Sequence, residues 1–136
     1  MDAVDVARRA FEAYEAGGVE ALAPFYHPEA EIVGGPYLGP KGTYRGGADG
    51  LRRIIASVDG QFNEFTPKAI AFRPGGSPGL VLIEGVVTYK ASEGRSSGAW
   101  RSWWVANVVD GKIRRLQIFH EAAPALEAAE LEAEAS

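Results

Sequence analysis

The chain has 136 residues, of which 46% are hydrophobic and 24% charged, and its formal net charge is −4. This length suits one hydrophobic core and is too short for two ordinary domains, so we expect a single domain over residues 1–136. Lysines and arginines are scattered, without the basic stripe that a phosphate backbone requires, and we expect no nucleic-acid partner. Because the chain has no cysteine and only two histidines, we also expect no metal and no cofactor.

The sequence carries neither a membrane span nor a secretion signal. No apolar run approaches the roughly 20 residues that a membrane-spanning helix needs. The opening residues are acidic and polar, unlike those of a signal peptide. We therefore expect no membrane contact and a cytoplasmic location.

Apolar residues recur at three- and four-residue steps in the first half of the chain, a spacing that predicts amphipathic helices. A glycine pair and a proline mark where the first two of these helices end. A stretch rich in glycine and proline indicates a loop before the third. The predicted segments are helices over 2–16, Val19 to about Tyr26 and about 48–62, a strand over 30–33, and a loop over 34–47.

The second half of the chain is dominated by β-branched and aromatic runs separated by turn residues, a pattern typical of strands. Asp110-Gly111 between two such runs predicts a tight hairpin, because both positions tolerate the positive φ of a type I′ turn. Helices segregated from a run of strands predict an α+β fold, in which a curved antiparallel sheet wraps around three N-terminal helices. The predicted strands are 66–72, 80–91, 99–109 and 113–119.

Residues 80–87 and 103–109 are apolar on both predicted faces, which one layer of helices does not explain. Since no other segment is predicted to cover the second face, we expect a homodimer through this outer sheet face, with Trp103 in the interface. The alternation of alanine, leucine and glutamate from Ala125 to Ser136 predicts an amphipathic helix that is frayed and acidic from about residue 129.

Short segments spread over nearly the whole chain resemble one protein family. They are residues 8–18, Tyr26-His27-Pro28-Glu29-Ala30-Glu31, Tyr44-Arg45-Gly46, Asp110-Gly111-Lys112-Ile113 and Ala125-Leu126-Glu127-Ala128-Ala129. Their order resembles the SnoaL-like branch of the nuclear transport factor 2-like superfamily, which includes ketosteroid isomerase, polyketide cyclases and limonene-epoxide hydrolase. The resemblance implies a cone-shaped, cystatin-like α+β barrel whose open end admits a small hydrophobic molecule. It does not imply one reaction, because these proteins share a shape rather than a chemistry.

The same resemblance implies that ketosteroid isomerisation is absent. The position of that enzyme's general base falls at Gly34, its oxyanion-hole tyrosine at about Ala10, and the partner aspartate near Trp104. The proton acceptor and the donors that stabilise an enolate are thus missing. SnoaL-type cyclases place an acidic residue after the last strand, and the nearest match here is Glu121.

The candidate catalytic residues are His120, Glu84 and Arg101. Strand parity with Leu116 and Ile118 predicts that His120 points inward, where an imidazole suits acid–base chemistry near neutral pH. The alternative is a structural histidine that is partly buried and hydrogen-bonded to a neighbour. Glu84 needs a partner if it is buried, and Arg101 on an adjacent strand is its natural counter-ion.

Aromatic and polar side chains at the predicted inward positions are the candidate ligand contacts. Two hypotheses stay open: a pocket protein that holds a small hydrophobic molecule, and an acid–base enzyme of the cyclase, isomerase or hydrolase type that uses His120. The candidate ligand-binding residues are Tyr14, Trp100, Ser102, Trp104, Ile118 and Glu121.

Overall fold

The computed structural model describes residues 2–33, 43–59, 62–91 and 97–132. Within these ranges, no helix combines the length and the apolar character needed to cross a membrane. The elements are, in chain order, α1 (Ala3–Leu22), a 3₁₀ helix (Ala23–Phe25), β1 (Tyr26–Val33), β2 (Thr43–Tyr44), α2 (Ala48–Asp59), β3 (Phe62–Pro74), β4 (Leu80–Ala91), β5 (Ser97–Val109), β6 (Lys112–Phe119) and α3 (Ala122–Ala128).

The first two predicted helices form the two halves of α1, which is kinked at Gly18. This glycine has φ 71° and ψ −157°, a conformation that a side chain would disfavour. Tyr26 was predicted to end the second helix, and this boundary is wrong. With φ −106° and ψ 140°, Tyr26 is already extended, one residue before His27, where the following Pro28 disfavours helical backbone.

The six strands form one sheet in the order β2-β1-β6-β5-β4-β3. All neighbours pair antiparallel except β1 and β6, which run parallel. The α+β cone fold is therefore confirmed, but the sheet is mixed and open rather than a purely antiparallel barrel. The parallel pair is possible because α2 and the β3–β5 meander separate its two strands in the chain, so that no hairpin has to join them.

The structure changes two of the predicted segment boundaries and confirms the predicted hairpin. The predicted loop over 34–47 contains β2, which pairs with the end of β1, while residues 34–42 lie outside the described residues. Phe62 was predicted in the third helix but is the first residue of β3, where it pairs with Ala91. The hairpin at Asp110 and Gly111 is confirmed, because these residues have φ 53° and 78°.

The sheet has two apolar faces. The inner face packs against α1 and α2, and its buried side chains include Ile83, Trp104 and Ile118. The outer face packs in part against α3, where Leu82 and Val105 meet two buried alanines of the C-terminal segment. The premise that no other segment covers the second face is therefore wrong, since a short C-terminal helix covers part of it.

Candidate functional site

A cavity of about 100 Å³ lies between the inner face of the sheet and helices α1 and α2. Among its described lining residues, the only polar side-chain atoms are the hydroxyls of Tyr14 and Tyr26 and the indole nitrogen of Trp104. None of these residues is charged. The lining consists of Ala10, Phe11, Tyr14, Leu22, Tyr26, Ile32, Leu51, Ile54, Ile55, Phe65, Pro67, Ile83, Val87, Trp104, Ile113, Leu116 and Ile118.

The sheet wall of the cavity follows from strand alternation. Ile83 of β4 lies opposite Trp104 of β5, and Trp104 lies opposite Ile118 of β6. Since successive side chains of a strand point to opposite faces, these three face the helices together. They form one continuous apolar row across three strands.

Trp104 holds a fixed position in this wall because aromatic rings and a glycine surround it. Its indole contacts Phe11 edge-on with ring centroids 5.3 Å apart, and Phe11 contacts Phe72 in the same way at 5.8 Å. Behind the indole, a Cβ at Gly85 would lie 2.8 Å from a Trp104 ring carbon. Gly85 therefore lets the large ring lie against β4 rather than fill more of the cavity.

Tyr26 is a cavity residue that the sequence analysis did not select. It is 6% exposed and sits at the start of β1. Burial raises the pKa of its phenol above the usual range, so the hydroxyl stays protonated at neutral pH. A strand begun at residue 26 would have placed it on the face of Ala30 and Ile32, which are also buried.

Three of the predicted ligand-binding residues line the cavity: Tyr14, Trp104 and Ile118. Trp100 and Ser102 share the inward parity of Trp104 but are not among the lining residues. Trp100 instead packs against the rings of Phe65 and Tyr89, at centroid distances of 5.8 and 5.0 Å, and Ser102 is fully buried.

Glu84 and Arg101 form the ion pair expected between adjacent strands, but they form it on the outer face. Arg101 also lies over the Trp103 ring, with its guanidinium carbon 5.1 Å from the ring centroid. Neither residue is among the described residues that line the cavity. Because Ile83 faces inward, its neighbour Glu84 must face outward. The Arg101 side chain is 61% exposed, and such pairs contribute less than about 1 kcal/mol to stability.

His120 and Glu121 lie in the turn between β6 and α3, and neither is among the residues lining the cavity. Partial burial lowers the pKa of His120, and the neighbouring Glu121 carboxylate opposes that shift. Glu121 is exposed and occupies the N-cap position of α3. The imidazole is therefore mainly neutral at pH 7. It is not among the described residues that line the cavity, so it is not placed to contact a ligand bound there.

The positions compared with ketosteroid isomerase divide into two groups. Ala10 and Trp104, which the resemblance approximately matched to hydrogen-bond donors of that enzyme, both line the cavity. Gly34, at the position of the base, lies outside the described residues. In the part of the chain that the structure describes, no three His, Asp or Glu side chains come together as a metal site.

A family model described as SnoaL-like domain matches residues 7–116. This match covers most of α1 and extends into β6, so it includes the elements that build the cavity. A search of curated proteins by sequence finds no match.

Solved structures similar to this chain share its fold across nearly their whole length. An NTF2-like protein from Burkholderia thailandensis has a TM-score of 0.78 at 18% identity, covering 98% of this chain and 99% of that one. TerC, co-crystallised with polyporic acid, has a TM-score of 0.76 at 18% identity, with 94% and 98% covered. RV0760c from Mycobacterium tuberculosis, in complex with estradiol-17beta-hemisuccinate, has a TM-score of 0.71 at 13% identity, with 89% and 95% covered.

Proposed function

We propose that this chain, which belongs to the SnoaL-like domain family, binds one small apolar molecule in the cavity between its inner sheet face and helices α1 and α2. The observation that carries the proposal is the lining, in which no described residue is charged. Such a wall favours an apolar ligand by about 25 cal/mol per Å² of buried apolar surface. It disfavours an ion, which would lose its hydration without a partner.

The size of the cavity narrows the ligand further. Its volume is about 100 Å³, whereas a protein cavity of about 150 Å³ lined by Leu, Ile and Phe holds one benzene molecule. We therefore infer a ligand no larger than about one ring. The polyporic acid and the estradiol derivative in two similar structures support the idea that a pocket of this fold accepts organic molecules.

We favour binding over acid–base catalysis because the candidate catalytic residues are not among the described residues that line the cavity. The catalytic hypothesis needs His120, with Glu84 or Arg101 as a helper, at a bound substrate, and none of the three is among the described lining residues. Tyr14, Trp104 and Ile118 remain our proposed ligand contacts, because they do line the cavity. Trp100, Ser102 and Glu121 lose that support.

The remaining expectations stay predictions. Trp103 and Val86 on the outer face are only partly buried, which supports a homodimer through the part of that face that α3 leaves uncovered. A cytoplasmic location and the absence of a nucleic-acid partner also stay predictions from the sequence.

Calorimetric titration with toluene, a neutral one-ring probe, tests the proposed binding. Ala10 lines the cavity and is 1% exposed, so Ala10→Leu fills the space where the probe would sit. Ala71 pairs with Glu84 and shares its outward parity, so Ala71→Leu adds the same atoms on the other side of the sheet. Thermal melts verify that both variants fold.

We expect toluene to bind the wild type and Ala71→Leu with equal affinity at one site. Ala10→Leu should bind at least about tenfold more weakly, since the loss of about 1.4 kcal/mol corresponds to tenfold. Binding that is equal in all three proteins would place the probe elsewhere, and no binding to the wild type would refute the proposal.

A further inference from the structure

We propose that the Trp104 indole sets the size limit of the ligand site, so that the cavity takes a single apolar ring and rejects a fused two-ring molecule. The indole fills a stretch of the inner sheet face where a second fused ring would otherwise lie. This inference rests on the proposed binding function and adds the residue that selects among apolar ligands by size.

The argument begins with a gap in the sheet wall of the cavity. Ile83 and Val87 on β4 both line the cavity, whereas Gly85 between them is not among the described lining residues. The three residues share one face, because the side chains of a strand alternate. Gly85 pairs with Ser102 of β5, which is fully buried and also not among the described lining residues. Two small residues therefore leave a recess in the middle of this wall.

The Trp104 indole fills the recess. A Cβ added at Gly85 would lie 2.8 Å from the ring carbon Cζ3 of Trp104, which is too close for two carbon atoms. The indole therefore occupies the space that a side chain at position 85 would take. Trp104 itself lines the cavity and is 5% exposed. Its ring stands between the recess and a ligand in the cavity.

Neighbouring rings hold the indole in this place. Phe11 of α1 contacts it edge-on at a centroid distance of 5.3 Å, and Phe72 of β3 contacts Phe11 in turn at 5.8 Å. In a close-packed interior, the indole does not turn aside without displacing such neighbours. The size limit is therefore a fixed wall and not a movable lid.

This wall reverses the preference that apolar area alone would give. An apolar ligand gains affinity in proportion to the apolar surface that it buries, so a second fused ring would strengthen binding if the cavity had room for it. In a cavity of about 100 Å³, the second ring would instead meet the indole, and overpacking a well-packed wall is unfavourable. One methylene in an apolar pocket already changes discrimination by about 10- to 200-fold.

The ratio of the affinities for toluene and naphthalene tests the assignment, because both are neutral aromatic hydrocarbons and they differ in ring number. The methyl shifts of Ile83 and Ile118, two lining residues, follow each titration. The proteins compared are the wild type, Trp104→Leu and Trp104→Phe. Trp103→Leu is the matched control, because Trp103 is the adjacent residue of the same strand and lies on the outer face, with Arg101 over its ring. Thermal melts verify that the variants fold.

We expect the wild type to bind toluene at least about tenfold more tightly than naphthalene, and Trp104→Leu to reverse that preference. Trp104→Phe removes part of the ring system, so its ratio should lie between the two. Trp103→Leu should keep the wild-type ratio. An unchanged ratio in Trp104→Leu, or the same change in Trp103→Leu, would overturn the assignment while apolar binding stands.

A measurement on the wild type alone tests the inference even if the Trp104 variants do not fold. Naphthalene that shifts the Ile83 and Ile118 methyls and binds more tightly than toluene would show that the indole does not limit ligand size. If toluene does not bind the wild type, the proposed function itself fails, and this inference fails with it.

Discussion

The inner and outer faces of the sheet are both apolar, but they use their polar groups differently. Ile83 and Trp104 on the inner face belong to a cavity wall whose described polar side-chain atoms are two phenol hydroxyls and one indole nitrogen. On the outer face, Glu84 and Arg101 neutralise one another beside Trp103. Residues adjacent in the chain therefore belong to different environments. The charged residues that stand out in the strand sequences lie away from the cavity.

Truncating two adjacent residues gives the largest expected effect and compares the faces directly. Ile83 is fully buried in the cavity wall, whereas Leu82 is 3% exposed and packs towards α3. Ile83→Ala and Leu82→Ala should each lower the free energy of unfolding by about 2 to 5 kcal/mol, because each removes buried methyl groups. Urea unfolding measures both losses.

Ligand binding should separate these two variants. Ile83→Ala changes the cavity and should alter toluene affinity, while Leu82→Ala should not. A loss below about 1 kcal/mol for Leu82→Ala would mean that α3 does not cover the outer face in solution, since such a loss is typical of exposed positions. The proposed homodimer would then have to cover the outer face.

A smaller effect is expected at His120, where the inner face ends. Partial burial lowers the pKa of this imidazole in the folded protein below the usual 6.5 of a histidine, so the unfolded chain binds more protons just below that pH. Stability should therefore fall as the pH drops through about 6.5, because folding must release a proton. In the variant His120→Gln this part of the pH dependence is absent.

Chemical unfolding at pH 8 and pH 5.5 measures the free energy of unfolding of the wild type and of His120→Gln. Taking the difference between the two proteins removes the contribution of other titrating groups. The wild type should lose more stability than the variant between these values. Parallel pH profiles would show that His120 is not buried enough to matter, and a wild type that gains stability on acidification would point to a carboxylate partner.

Alternation along single strands predicted which residues share a face but not which face holds the cavity. The inward parity of Trp100, Ser102 and Trp104 could be read from the sequence, and so could the pairing of Glu84 with Arg101. The register of β4 against β5 could not be predicted from the sequence. It places Trp104 opposite Ile83 and thereby turns Glu84 outward, although the apolar run on both sides of Glu84 gave no sign of this.

Two further features lay beyond the sequence signal for different physical reasons. The segment at α3 buries Ala125 and Ala129 completely, but alanines four residues apart in an alanine- and glutamate-rich segment also occur in a solvated helix. Tyr26 stood at a boundary between helix and strand, where patterns are least informative. Because the prediction assigned Tyr26 to the helix, it missed the alternation along β1 that places this side chain at the cavity.

Methyl-resolved NMR during a toluene titration tests the central claim most directly, because it reports both faces in one experiment. A ligand site on the inner face predicts saturable shifts for the methyl groups of Ile32, Ile83 and Ile118, which line the cavity. Those of Leu82 and Val105, which belong to the outer cluster, should remain in place. Shifts confined to the outer-face methyls, or no saturable shift at all, would contradict a ligand site on the inner face.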